Sequence, residues 1–104
     1  MKSIQSSELK NLLSSSDTQL IDIREPYETN CANIGGLLIP MAEIQDGIAQ
    51  LNSENQYVIM CQSGKRAAAV ANFLEVEYGF KQVYVLEGGF EAYAKDVDNT
   101  IEFC

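Results

Sequence analysis

The stretch Tyr57-Val58-Ile59-Met60-Cys61-Gln62-Ser63-Gly64-Lys65-Arg66, followed by Ala67-Ala68-Ala69-Val70-Ala71, constrains this chain more than any other. Its first four residues are apolar or β-prone and predict a buried strand. The alanine-rich end predicts a strong helix. Between them lies a short loop that opens on a cysteine. A cysteine at that junction sits beside backbone N–H groups that have no intrahelical partner. Those donors, with the positive end of the helix dipole, favour an anion, and so a thiolate over a thiol. Lys65 and Arg66 add positive charge. Ser63 and Gly64 are small, and Gly64 tolerates backbone angles closed to other residues, so the loop can wrap its amides around the sulfur. A lone cysteine at a strand end is ordinarily a small core residue. Strand, loop, basic pair and helix in succession point instead to a nucleophile in a cradle.

The rest of the composition narrows the chemistry. The 104 residues are 46% apolar with only two prolines, which predicts one globular domain over residues 1–104. No apolar run is long enough to span a bilayer. Met1-Lys2-Ser3-Ile4-Gln5-Ser6-Ser7 has no apolar signal-peptide core, so the expectation is a cytoplasmic chain, or a domain of a longer cytoplasmic protein. The net charge of −8 disfavours nucleic acid and anionic membrane as partners. There is no histidine, which removes the commonest general base, the commonest zinc ligand and the Cys–His pair of proteases. Cys31, Cys61 and Cys104 follow no zinc spacing and no Cys-x-x-Cys spacing, and no metal or cofactor is expected. Their odd number argues against a disulfide framework.

In chain order, Ile4-Gln5 predicts a short edge strand. Ser6 or Ser7 is read as the cap of a helix to about Ser14, with Leu9, Leu12 and Leu13 on one face. Residues 14–17 form a turn. Gln19-Leu20-Ile21-Asp22-Ile23 predicts a strand ended by Arg24-Glu25-Pro26. Asp22 is then either a buried carboxylate held by Arg24 or by loop amides, or a solvated residue on an exposed edge. A long loop is expected from Arg24 to about Gly36. Leu37-Leu38-Ile39 predicts a short strand, and Met41, Ile44, Ile48 and Leu51 an amphipathic helix over residues 41–51. After the cysteine loop, Ala67, Val70, Ala71, Leu74 and Tyr78 form one helical stripe, closed by Gly79. Gln82–Leu86 predicts a strand, Glu87-Gly88-Gly89 a tight turn, and Phe90, Tyr93 and Ala94 one side of a last helix. Strands alternating with helices imply an α/β sandwich around a mostly parallel sheet, with ligands bound beyond the carboxyl ends of strands, where Cys61 lies.

Three segments, in order, resemble the rhodanese family of sulfurtransferases. Asp22-Ile23-Arg24-Glu25-Pro26-Tyr27-Glu28 is similar to its Asp-Val-Arg-Glu opening. Cys61-Gln62-Ser63-Gly64-Lys65-Arg66 is similar to its Cys-Arg-x-Gly-x-Arg loop. Val85-Leu86-Glu87-Gly88-Gly89-Phe90 with Tyr93 is similar to its Leu-x-Gly-Gly-x-x-x-Trp closing turn. The resemblance implies a rhodanese-like α/β sandwich, a mostly parallel five-stranded central sheet with helices on both faces. It implies Cys61 as the catalytic residue, carrying sulfur as a persulfide. Gln62, Ser63, Gly64, Lys65 and Arg66 are then substrate-binding, and Asp22 and Arg24 a structural rim. Gly35-Gly36-Leu37-Leu38-Ile39-Pro40 and the tail look most like rhodanese-like domains ending the adenylyltransferases of molybdopterin and thiamin synthesis. The chain departs from the family at Ala32-Asn33-Ile34, where Gly-His is frequent, at Tyr93 for tryptophan, and at Gln62 for arginine.

Sulfur transfer through a persulfide on Cys61 is the reading these residues favour, from thiosulfate or a protein persulfide to a thiophilic acceptor. It needs no strong general base, which suits a chain without histidine. The implied partners are a small sulfur-donor anion or a donor or acceptor protein. With Gln62 in place of a cation, thiosulfate is expected to be a poor donor. A phosphatase reading is disfavoured, because related phosphatases have one more residue between cysteine and arginine than the four here, Gln62 to Lys65. A non-catalytic interaction or redox-sensing domain is the alternative from another class, and retention of Cys61, Gly64 and Arg66 argues against it.

Overall fold

The computed structural model describes residues 2–15 and 17–101; Ser16 in the predicted 14–17 turn and the tail beyond residue 101, Cys104 included, lie outside them. Five strands, β1 (Lys2–Ile4), β2 (Thr18–Asp22), β3 (Leu37–Leu38), β4 (Gln56–Met60) and β5 (Gln82–Leu86), form one sheet in the order β1-β5-β4-β2-β3. Every pairing is parallel, with Leu20 opposite Val58 and Val58 opposite Tyr84. The helices are α1 (Leu9–Leu13), α2 (Pro26–Cys31), α3 (Ile44–Gly47), α4 (Lys65–Tyr78) and α5 (Gly89–Asp96). Among the described residues no helix is long and apolar enough to cross a membrane.

The central strand explains the layering. Along β4 and just past it, Tyr57, Ile59 and Cys61 join one buried cluster with Ala67, Val70, Ala71 and Leu74 of α4. The alternate residues Val58 and Met60 join another with Leu9, Phe90 and Tyr93. Side chains of a strand point alternately to opposite faces, so an apolar run with no polar alternation is what a strand covered on both faces requires. Helices therefore lie on both faces, as the resemblance implies.

The predicted strands and α4 agree with the structure to within a residue or two. Gly79 takes φ +67° and its N–H donates to the Glu75 carbonyl at 3.2 Å, closing α4 in a left-handed cap. Tyr78 leaves the predicted stripe: it is exposed and lies edge-on to the Phe73 ring, centroids 5.3 Å apart. The chain enters α1 through a 3-10 turn at Ser6–Glu8, where the Glu8 carboxylate accepts the Gln5 N–H at 3.1 Å; Gln5, not Ser6 or Ser7, is the cap position.

Two segments differ more. The expected loop from Arg24 to Gly36 contains α2. Pro26 stops β2 but also occupies the first helical position, where its missing N–H is no loss. The predicted 41–51 helix is three short turns, with 3-10 geometry at Met41–Glu43 and Ile48–Gln50 flanking α3. Gly47 weakens a continuous helix. A Cβ there would stand 3.2 Å from Ile39 Cγ2, so the backbone packs close on the exit of β3. The apolar stripe still does its work, since Ile44 is buried and Met41, Ile48 and Leu51 pack on the same cluster.

At the carboxyl end of the sheet, β2, β4 and β5 release the chain side by side. Arg24, the Cys61 loop and the Gly88-Gly89 turn therefore meet in space.

Candidate active site

Cys61 follows β4 directly. Its Sγ accepts the Gly64 N–H at 3.0 Å and the Ala67 N–H at 3.4 Å. Gly64 caps α4 in the left-handed region at φ +105°, a conformation that side-chain-bearing residues rarely adopt and that lets the loop double back on its sulfur. Cys61 is a free thiol and fully buried. The loop is anchored by α5: the Phe90 N–H donates to the Cys61 carbonyl at 2.8 Å and the Glu91 N–H to the Gln62 carbonyl at 3.0 Å. Gly89 makes this approach possible, because a Cβ there would stand 2.4 Å from the Cys61 carbonyl oxygen. The first-turn N–H groups of α5 thus take up the loop carbonyls, while two loop and helix amides are left to the sulfur.

Beside the loop stands a buried ion pair. Of the two sequence readings of Asp22, the buried one is correct: Asp22 is wholly buried and Arg24 almost so, at 2% exposure. Arg24 Nε donates to Asp22 Oδ1 at 3.0 Å and Nη2 to Oδ2 at 2.9 Å, a two-pronged bridge. The Arg24 N–H adds a third bond, to Oδ1 at 3.1 Å. Nη2 also donates to the Ala32 carbonyl at 2.8 Å, and Nη1 to Gln62 Oε1 at 3.3 Å. The guanidinium lies 3.9 Å from the centre of the Phe90 ring. A buried guanidinium is stable only when its donors are answered. Here Asp22, the end of α2, the cysteine loop and α5 all answer to one side chain.

Arg66, in the first turn of α4, reaches across to α2. Its Nη1 and Nη2 donate to Glu28 Oε1 and Oε2 at 3.3 and 3.4 Å. Glu28 Oε1 also accepts the Glu25 N–H at 3.0 Å, completing a capping box at the start of α2. Burial acts to raise the Glu28 carboxyl, but the Glu25 amide, then Arg66 and Arg24, outweigh it and hold it below its ordinary value. Burial likewise opposes the charge on Arg66, and Glu28, with smaller contributions from Cys61 and Glu25, raises it.

The structure thus gathers Cys61, Gly64 and the first turn of α4 around one sulfur. It turns the Gln62 side chain toward Arg24 and leaves Ser63 of the loop and Lys65 at the start of α4 exposed. Sequence reasoning missed Glu28 as a neighbour of the site, since it placed residues 24–36 in a loop. The signal was available: a Glu-x-x-Glu capping-box register, Glu25 to Glu28, with a proline at the first helical position between them. Cys31, the last residue of α2, is disulfide-bonded, against the expectation drawn from the odd number of cysteines; among the described residues Cys61 is the free thiol.

The same architecture recurs in known proteins. The rhodanese-like domain model matches residues 5–96. The chain is 38% identical over 90 residues to the chloroplastic rhodanese-like/PpiC domain-containing protein 12 of Arabidopsis thaliana, covering 82% of this chain but 30% of that protein. It is 32% identical over 75 residues to the thiosulfate sulfurtransferase GlpE of Tolumonas auensis, covering 71% of this chain and 70% of that one. The crystal structure of a rhodanese-like domain protein from Staphylococcus aureus superposes with a TM-score of 0.81 at 40% identity, over 89% of this chain and 91% of that one. Parallel sheet, cysteine loop and closing Gly-Gly turn have a common explanation: the chain belongs to the rhodanese-like domain family.

Proposed function

We propose that this protein is a sulfurtransferase that carries sulfane sulfur as a persulfide on Cys61. The observation that carries the reading is the pair of amides, Gly64 and Ala67, that donate to Cys61 Sγ from a loop locked in place by α5. Such donors stabilise negative charge on sulfur, which both the attacking thiolate and the anionic persulfide bear. In the first half-reaction the Cys61 thiolate attacks the outer sulfur of the donor. For thiosulfate the S–S bond breaks and sulfite leaves with the bonding pair. In the second, a thiophile such as cyanide attacks the outer sulfur, and the Cys61 thiolate departs unchanged. No proton has to move, so no general base is needed. An S–S bond of about 2.05 Å also moves the reactive atom away from the fully buried Sγ, out of the sulfur's own position.

Asp22 and Arg24 act as positioning residues in this reading. Neither touches Cys61 Sγ; Arg24 holds Gln62 and Phe90, which belong to the loop and to its anchor. Arg66 supplies a formal positive charge in the first turn of the loop's helix. The donor is a small sulfane compound or a persulfide on another protein, and the acceptor a thiophilic anion or thiol.

Mass spectrometry after incubation with thiosulfate tests the proposal. The expected result is one added sulfur, removed by cyanide with release of thiocyanate, and absent in Cys61→Ser. Sulfur retained on Cys61→Ser at the wild-type level would overturn it.

A further inference from the structure

Both arginines near Cys61 are already spoken for. Arg24 is buried against Asp22. Arg66 is held by both oxygens of Glu28, and the Glu28 side chain is only 17% exposed. Glu28 is itself fixed, since one of its oxygens caps α2 through the Glu25 N–H at 3.0 Å. This carboxylate therefore stays on Arg66 without the entropy cost that an unrestrained side chain would meet. The charge of Glu25 also reaches Arg66. Gln62, which stands where the family often has arginine, spends its side-chain oxygen on Arg24 at 3.3 Å. Among the described residues, Lys65, the first residue of α4, is the cation beside the loop with no ion pair, and it is exposed.

An arriving dianion has to compete with Glu28 for Arg66, and it does so against a protein of net charge −8. A donor whose sulfane sulfur carries no second charged group has no such competitor. We propose that Glu28 is a specificity-determining residue: by occupying Arg66 it disfavours small dianionic donors such as thiosulfate and favours organic persulfides, R–S–SH. This rests on the sulfur-transfer reading above. The favoured step balances without a further reactant. The Cys61 thiolate attacks the outer sulfur, the R–S–SH sulfur–sulfur bond breaks, R–S⁻ leaves with the pair, and the proton stays on the outer sulfur, giving Cys61–S–SH.

The test compares wild type with Glu28→Gln, which keeps the side-chain length and an oxygen to accept the Glu25 N–H. Thiosulfate and N-acetylcysteamine persulfide, an organic persulfide with no charged group beyond its own sulfane sulfur, serve as donors to cyanide. The ratio of kcat/KM for thiosulfate to that for the persulfide is expected to rise about fivefold or more at low salt, from the removal of one charge a few ångströms away. The gain should shrink as salt is added. Should Glu28→Gln not fold, Glu28→Asp, which draws the carboxylate back from Arg66, should move the ratio the same way by less. A second arm needs no turnover: thiosulfate binding to Cys61→Ser, measured by calorimetry with and without Glu28→Gln. Tighter binding with Glu28→Gln upholds the role of Glu28 even if no sulfur is transferred, an outcome that would instead remove the sulfurtransferase reading. An unchanged ratio together with unchanged binding overturns the inference.

Discussion

Arg24 is the largest side chain among those fully buried, and its partners come from four parts of the chain. Removing Asp22 leaves an uncompensated buried cation, so Asp22→Ala is expected to cost about 3–5 kcal/mol. A shift of the urea midpoint at constant slope measures it, and a shift worth under about 1 kcal/mol would place the charge in water. The alternation of β2 could not decide whether Asp22 was buried, because Leu20, Ile21 and Ile23 are buried too and the strand has no polar face to compare with. Position 62 was legible only by type. From sequence, Gln62 reads as a missing cation; in the structure it is an acceptor for Arg24. Gln62→Arg therefore sets two guanidinium groups against each other. The expected outcome is a lowered urea midpoint and a smaller gain in thiosulfate KM than an added cation alone would bring. A full gain with unchanged stability would show that Gln62 does not support Arg24.

The elements around the site were read unequally well. β4, β5 and α4 were plain, since apolar runs and an alanine-rich helix bounded by glycines leave few alternatives. α2 was not, because a proline after a strand looks like an ending and is here also a beginning. The 41–50 segment showed its buried face but not its broken winding, which depends on how closely Gly47 meets Ile39, a contact between residues no periodicity links. The closing Gly88-Gly89 turn was recognisable as a motif, while its reason lay in three dimensions. Gly89→Ala and Gly79→Ala separate that reason from backbone strain. Both glycines have positive φ, +64° and +67°, but a Cβ at Gly79 meets nothing within 4 Å, whereas at Gly89 it strikes the loop carbonyls. Gly79→Ala is expected to cost about 1–2 kcal/mol with sulfur transfer retained. Gly89→Ala should cost clearly more and suppress persulfide formation on Cys61. Equal losses of stability with transfer intact in both would mean that the turn matters only for its φ angle.

At the scale of the whole molecule, two electrostatic levels are superposed: a net charge of −8 and a site whose positive groups are largely paired. The Glu28 carboxyl, facing Arg66 with Arg24 and Glu25 nearby, lies below its ordinary value of 4.5 in the folded chain. A carboxyl lowered on folding contributes stability that is fully present above its unfolded value and is lost as pH falls through the folded one. Wild type should thus exceed Glu28→Gln in melting temperature above pH 4.5, with the gap closing as the pH drops further. A gap independent of pH would trace the difference to shape and not to charge. The anchoring of the cysteine loop by Phe90 and Glu91 has a consequence in time as well as in space. A ribosome makes Cys61 well before it makes α5, and α4 and β5 come between. Until β5 has paired and α5 has docked, the loop carbonyls lack their donors and the thiol is not shut beneath a finished loop. The growing chain therefore passes through an interval in which Cys61 is an ordinary exposed thiol, open to oxidants, and its working environment arrives only with the last helix.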